Sequence, residues 1–325
     1  MTNLFIYTYM FSEKTVCLII YITLFSSHLL ATQVEKDIPV PDKVGAEIMP
    51  QFIAPFHDVP FNMPKLQYPK FPDYSVNIKD NGATVDKPIT ELVNRLIMET
   101  SRKGGGKVVI PSGKWKSARI ILKSNVNLYL EKGAEIEFSG EPKDYLPSVY
   151  TMHEGRQIMG SGSFIYACNE ENIAITGKGH IYGPSMDSPI RKNSNSIAWI
   201  EKDFPEKTEE RIFDGMEGRH FFAPKVIAPI QCKGVFIEGM TIERCMFWNV
   251  NPILCEDVII RGVTVNSVGI PSGDGVDITC SKNVLVEYCT MNCGDDCYAV
   301  KGGRDEEGAR MGIPKIGRAS CRERV

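Results

Sequence analysis

The sequence lacks a charge excess, a membrane-length apolar run and a dense cysteine framework. Its 325 residues carry 37 Lys plus Arg against 40 Asp plus Glu, a formal net charge of −3. That balance excludes a dedicated DNA- or RNA-binder, whose affinity rests on a strongly basic surface. Ten cysteines are too few to define a disulfide scaffold. General disorder is excluded too, because the chain is 43% hydrophobic with little net charge. The length fits one elongated unit or at most two domains.

The longest early apolar run, Val16 to Phe25, follows Lys14 and leads into Ser26-Ser27-His28-Leu29-Leu30-Ala31. It is too short to span a bilayer comfortably and has no basic stop-transfer flank. Residues 1–31 are therefore expected to be an export signal cleaved near Ala31, with Met10 an alternative start and a membrane anchor the rival reading. The mature protein is expected to be periplasmic or secreted, without stable membrane insertion. At the other end, residues 316–325 share no rhythm with what precedes them and resemble a translated sequencing adapter. The natural frame is then expected to end near Lys315; a solvated tail is the alternative.

Residues 32–73 are rich in proline and aperiodic, as an extended arm on a surface would be. Ile89, Leu92, Val93, Leu96 and Ile97 then fall at helical spacing, which predicts a helix over 88–101, closed by Gly104-Gly105-Gly106. Past it the pattern turns to short β-rich runs: 107–111, 118–122 and 126–130. No helix-length segment separates the later ones, which argues against alternating strand–helix units.

A repeat carries the fold assignment. Asn125-Val126 returns as Asn172-Ile173, and Lys233-Gly234-Val235, Glu256-Asp257-Val258 and Lys282-Asn283-Val284 follow. The last three are each preceded by a cysteine: Cys232, Cys255 and Cys280. Such a period marks a solenoid whose units cannot bury their apolar face alone. Leucine-dominated phrases with a helical half are missing, so a parallel β-helix fits best, its strands pairing at about 4.8 Å with those of neighbouring coils. The expected architecture is all-β, with residues 74–315 forming a single-stranded right-handed parallel β-helix capped by the N-terminal helix. At about 23 residues per coil, residues 105–312 give roughly nine coils less one insertion, placed at 184–222. That insertion is either part of a binding face or a passive loop.

The densest polar sequence interrupts this regular region. Ser272-Gly273-Asp274-Gly275-Val276-Asp277 lies one coil before Gly294-Asp295-Asp296-Cys297. The spacing puts Asp274 and Asp295 on adjacent rungs. For Asp295 and Asp296 to share one cleft the backbone must bend, and Gly294 makes the bend easier. Close carboxylates repel, and a repeat has no structural need to stack them. They suit hydrolysis of a glycosidic bond, with repulsion keeping one carboxyl protonated as the acid. They equally suit calcium, an ion that prefers oxygen ligands, and Asp-Gly also forms ordinary turns. From spacing alone all three readings stay open.

From Tyr74 to Pro314 the chain resembles glycoside hydrolase family 28, the polygalacturonase or pectinase family. The likeness rests on Asn77-Ile78-Lys79-Asp80-Asn81-Gly82-Ala83, Gly104 to Pro111, Leu122 to Leu128 and Glu171 to Gly177. It is best from Phe247-Trp248 through Cys255-Glu256-Asp257-Val258 to Gly294-Asp295-Asp296-Cys297. The resemblance implies a right-handed parallel β-helix that cleaves α-linked galacturonic acid in pectic polysaccharides by inversion. Asp295 is then the general acid, while Asp274 and Asp296 hold and activate the attacking water. Inversion implies acid and base carboxyls roughly 6.5–9.5 Å apart. Lys301 and Arg304 become candidate substrate-binding residues, or else surface charges paired with Asp305, Glu306 or Glu307. The implied partner is a pectic polysaccharide or oligogalacturonide, met by a monomer with no cofactor, no metal and no nucleic acid.

The chain departs from the family pattern in three places. Ser272-Gly273 stands where an Asn-led pair usually precedes the first Asp, and Ala223-Pro224 where Arg-Pro is frequent. The family's Gly-His-Gly and Arg-x-Lys phrases are expected after residue 315 and do not occur here, so this chain is expected to hydrolyse polygalacturonate poorly. Cys289, Cys293 and Cys297, with no histidine nearby, fit a thiol ladder or one oxidised pair better than zinc. Two rival functions remain: a calcium-dependent, pectate-lyase-like enzyme, and a non-catalytic carbohydrate-binding β-helix. Exo action is weakly favoured over endo, because the 184–222 insertion lies where it would close a cleft.

Overall fold

A computed structural model describes residues 45–51, 53, 64–195, 204–312 and 319–322. The expected export signal, much of the arm, and residues 313–318 of the chain's end lie outside the described residues. The chain coils as a right-handed parallel β-helix. One sheet of eight strands runs through Ser75–Asn77, Gly106–Ile110, Val126–Leu130, Glu171–Gly177, Lys233–Glu238, Glu256–Arg261, Lys282–Glu287 and Ala319–Arg322. A second, of six strands, stacks Gly113–Ser117, Ala134–Phe138, His180–Tyr182, Thr241–Glu243, Thr264–Asn266 and Thr290–Asn292. A third face joins Ile120–Ile121, Ser163–Cys168 and Lys225–Ile230. It continues through single bridges at Val250 and Ile253 to Val276–Thr279 and Tyr298–Lys301.

The repeat in the sequence has a backbone cause. Asn125, Asn172, Gly234, Asp257 and Asn283 all have left-handed φ, from 54° to 68°. The strand registers place them one above another. Asn and Asp tolerate this conformation because their short side chains bond locally. Here they bond vertically: Asn172 Nδ2 donates to Asn125 Oδ1 at 3.0 Å, and Asn283 Nδ2 to Asp257 Oδ1 at 2.8 Å. Each turn feeds an aliphatic ladder, Val108–Leu128–Ile175–Ile237–Ile260–Val286, every member buried.

The helix spans Thr90–Arg102, with Pro88 just before it. Val93, Leu96 and Ile97 are buried on its inner face. It caps the tube with side chains as well as packing: Asn94 Oδ1 accepts from Ile121 N at 2.7 Å, and Thr90 Oγ1 from Ala118 N at 2.7 Å. Strand-edge groups that would otherwise be open are thus satisfied.

The coil count falls short of nine. Six strands of the first sheet begin between Gly106 and Lys282, because two insertions interrupt the period rather than one. Besides 184–222, an antiparallel hairpin of Val149–His153 and Arg156–Gly160 leaves the tube between the second and third of those coils. Its turn residues Glu154 and Gly155 both have positive φ, 43° and 84°. Sequence reading passed over it because Glu-Gly is a weaker hairpin signal than Asn-Gly or Asp-Gly.

Candidate active site

Asp274, Asp295 and Asp296 line one cavity of about 490 Å³, together with Glu154, Gly155, Phe247, Trp248, Lys301 and Arg304. Extending the registers of the third face by two residues puts Lys225, Trp248, Asp274 and Asp296 in one column on successive rungs. Asp274 therefore lies opposite Asp296, with Asp295 one position earlier in the chain. The backbone bends at Gly294 and Asp295, and Asp296 N donates to Asp295 Oδ1 at 3.0 Å. Gly294 serves this bend through close approach: a Cβ there would meet Ile270 O at 2.3 Å and Ser267 O at 2.7 Å.

The three aspartates sit in unlike surroundings. Asp274 is 2% exposed, whereas Asp295 and Asp296 face solvent. Lys301 Nζ bridges Asp274 Oδ2 and Asp277 Oδ1, at 2.9 Å each, and lies 4.1 Å from the Trp248 ring centre. Asp277 is the functional candidate the sequence reading missed. It is fully buried, and burial and then the Asp274 charge push its carboxyl up to about 8, against the opposing pull of Lys301. The carboxyl thus kept protonated near neutrality is Asp277. Burial works against the Lys301 ammonium, yet Asp277 and Asp274 hold it above its usual range. A carboxylate inside the otherwise apolar phrase Val276-Asp277-Ile278 was the available signal, since buried charge is rarely left unpaired.

Lys301 is thus a partner of two carboxylates rather than a cation standing alone in the cleft. Arg304 reaches across to the hairpin: Nη1 meets Glu154 Oε2 at 2.9 Å, and its backbone N donates to Gly155 O at 3.0 Å. Gly155 has no room for a side chain, because a Cβ would stand 2.8 Å from Arg304 N and 3.0 Å from Gly302 O. The hairpin tip is therefore seated against residues 302–304, forming a wall of the cleft. Behind it, Glu307 joins Arg211 of the 184–222 insertion at 2.8 Å in a buried pair. Among the described residues no histidine lines the cavity. His153 instead lies buried between the rings of Phe222 and Phe247, at 4.3 and 4.6 Å. Cys232 and Cys255 are free thiols buried in the tube.

A larger depression of about 770 Å³ lies at the helix end, lined by Lys87, Glu91, Lys116, Glu137 and Asp144 among others. It holds none of the three aspartates, so size alone does not mark the site.

Comparison with known proteins bears on this geometry. The family model for glycosyl hydrolases family 28 matches residues 107–310, which include the whole acidic cluster. The chain belongs to this family. A probable polygalacturonase of Vitis vinifera is 25% identical over 251 residues, covering 74% of this chain and 47% of the relative. An exo-poly-alpha-D-galacturonosidase of Dickeya chrysanthemi is 22% identical, covering 64% of this chain and 38% of the relative. The chain spans less than half the length of these curated relatives. Among solved structures, a hyperthermoactive exopolygalacturonase from Thermotoga maritima shares 32% identity at a TM-score of 0.69, over 77% of this chain and 59% of that one. A family 28 exopolygalacturonase from Yersinia enterocolitica, at 23% identity and TM-score 0.61, shares the fold over 77% of this chain and 48% of its own. Among the described residues no helix is long and apolar enough to cross a membrane.

Proposed function

We propose that this chain carries the acid–base half of a glycoside hydrolase that cleaves α-linked galacturonic acid in pectic chains by inversion. The observation that carries the reading is the convergence of Asp274, Asp295 and Asp296 on one cavity whose buried member is ion-paired by Lys301. Asp295, on the open side of the cleft, donates its proton to the glycosidic oxygen. Asp274 and Asp296, register partners on adjacent rungs, hold a water on the opposite face of the sugar and take its proton. The new C–O bond forms as the old one breaks, so the α-linkage yields a β-anomer. The Lys301 ammonium, 2.9 Å from Asp274 Oδ2, fixes the orientation of that carboxyl. Arg304, held by Glu154, lines the same cavity and presents its guanidinium charge to a uronate carboxylate.

Exo action is supported by the hairpin tip seated on residues 302–304, a wall against which a chain end would stop, and by the likeness to the Dickeya exo-poly-alpha-D-galacturonosidase and the Thermotoga exopolygalacturonase. The calcium-dependent lyase is disfavoured on a specific ground: the place between Asp274 and Asp277 is filled by the Lys301 ammonium. Proton NMR of polygalacturonate incubated with the protein tests the reading. New β-anomeric reducing ends without an unsaturated product are expected. An unsaturated, ultraviolet-absorbing product that requires calcium, or α-anomers appearing first, would sink it.

A further inference from the structure

Lys225 is buried, 1% exposed, and the acid–base scheme above does not use it. It occupies the rung before Trp248 in the column that continues to Asp274 and Asp296. Its Nζ donates to Met152 O at 2.7 Å, in the strand leading to the Glu154–Gly155 tip. The same ammonium lies 5.7 Å from the Trp248 ring centre and 5.8 Å from that of Phe247. Phe247 is stacked on one side by Trp248, at 4.7 Å, and contacts His153 at 4.6 Å; His153 in turn stacks on Phe222. A continuous pile of rings thus runs from the 184–222 insertion through the hairpin to the tryptophan on which Lys301 rests.

We propose that Lys225 is a positioning residue for the reaction, tying the hairpin wall to the catalytic rung and fixing, from behind Trp248, the place where Lys301 meets Asp274. Packing alone does not call for it. A methionine fills similar volume without burying an ammonium, and burying a charge is costly unless it is well partnered. Burial has lowered the Lys225 ammonium to about 7, against the opposing pull of Asp277 and Glu154. The groups that act on it electrostatically come from three elements: Asp277 on the catalytic rung, Glu154 at the hairpin tip and His153 beside it. Such a group weakens the fold, and what it supplies in return is a fixed amine donor that links three parts of the site. Activity gained at the expense of stability is a recurrent pattern at functional sites.

This inference rests on the hydrolase reading, so its test has one arm that needs no turnover. Lys225→Met is expected to melt no lower than the wild-type chain while kcat on oligogalacturonate falls at least tenfold and KM changes less than threefold. Lys225→Arg, which keeps a cation and donors toward Met152, is expected to recover most of the rate. In two-dimensional NMR spectra, Lys225→Met should shift the amide signals of Glu154, Gly155 and Arg304 and the Trp248 indole N–H. Should Lys225→Met not fold, Lys225→Gln takes its place with the same expectations. A kcat within twofold of wild type overturns the proposal, as does a loss of rate that merely follows a loss of folded protein. Unmoved resonances at the tip and at Trp248 overturn it as well. A wild-type chain that releases an unsaturated product would sink the hydrolase reading instead, and the resonances alone would then decide the role of Lys225.

Discussion

Two columns of side chains run along the same tube and are built on opposite terms. On the first sheet, Val108, Leu128, Ile175, Ile237, Ile260 and Val286 stack in register, all buried aliphatic groups. The outward side of that sheet is apolar too: Ala174, Phe236, Ile259 and Leu285 are covered by Leu66, Tyr68 and Phe71 of the arm. On the third face the column reads Lys225, Trp248, Asp274, Asp296, and the parallel one Ala228, Asn251, Asp277, Ala299. Both columns use the same rung spacing and the same backbone bonds. The first gains from every member, because each buries apolar surface. The second buries Lys225, Asp274 and Asp277 within three rungs, which an apolar ladder would outperform in stability. A solenoid can carry so expensive a column because its rungs are stabilised independently along the other faces.

The sharpest way to break the comparison is to remove one charge from the polar side and ask whether only chemistry suffers. Asp295→Asn deletes the proposed proton donor at an exposed position. The rate of reducing-end release is expected to fall by about 10²–10⁴-fold, the usual weight of a general acid. The melting temperature should stay within a degree or so. A comparable loss of rate and of stability would mean that the two columns are not separable.

The converse experiment cuts the apolar ladder. Ile237 is fully buried between Ile175 and Ile260, so Ile237→Ala should destabilise the chain by about 2–5 kcal/mol through lost transfer energy and a residual cavity. Denaturant titration measures this. The activity of the folded fraction should be unchanged, since the ladder touches neither Lys301 nor the aspartates.

A third test reads the polar column through pH. Asp277 titrates near 8 when folded, against an ordinary value of 3.8. Between those values the folded state holds a proton that the unfolded chain has lost, so stability falls as pH rises from about 4 to 8. Lys225 is lowered to about 7 from 10.5. There the unfolded chain holds the extra proton, so stability rises with pH from about 7 toward 10.5. The melting temperature is thus expected to pass through a minimum near pH 7–8. Asp277→Asn should flatten the acid limb and Lys225→Met the alkaline limb. A wild-type profile with its maximum in that window would contradict both assignments.

The two columns were not equally legible in the sequence. The scaffold was, because the Asn-Val and Asp-Val phrases keep recurring despite two insertions, and their left-handed turns tolerate few residue types. The three aspartates were legible as a cluster, since coil spacing brings Asp274 and Asp295 to neighbouring rungs. What surrounds them was not. Glu154 and Lys225 reach the site from 120 and 49 residues before Asp274, through a hairpin that breaks the period and a rung that precedes the cluster. Lys301 was legible as a nearby cation, but its pairing depends on Asp277 being turned inward. Burial of that kind follows from the arrangement of neighbouring rungs and leaves no mark on spacing.

The smallest effect tests the repeat itself. Asn283 holds a φ of 56° and donates to Asp257 Oδ1 at 2.8 Å, so it contributes both a tolerated left-handed turn and one vertical hydrogen bond. Asn283→Ala removes the bond and sets a Cβ without local hydrogen bonding in a conformation that costs about 1–2 kcal/mol. Asn283→Gly removes only the bond, since glycine enters that region freely. Glycine already fills the equivalent rung at Gly234. The Gly variant should therefore be the more stable of the two by about 1 kcal/mol, although glycine is usually the worse residue next to a strand. If Ala were the better substitute, the vertical Asn–Asp column would be secondary to strand propensity, and the repeat that reveals the fold would have another cause.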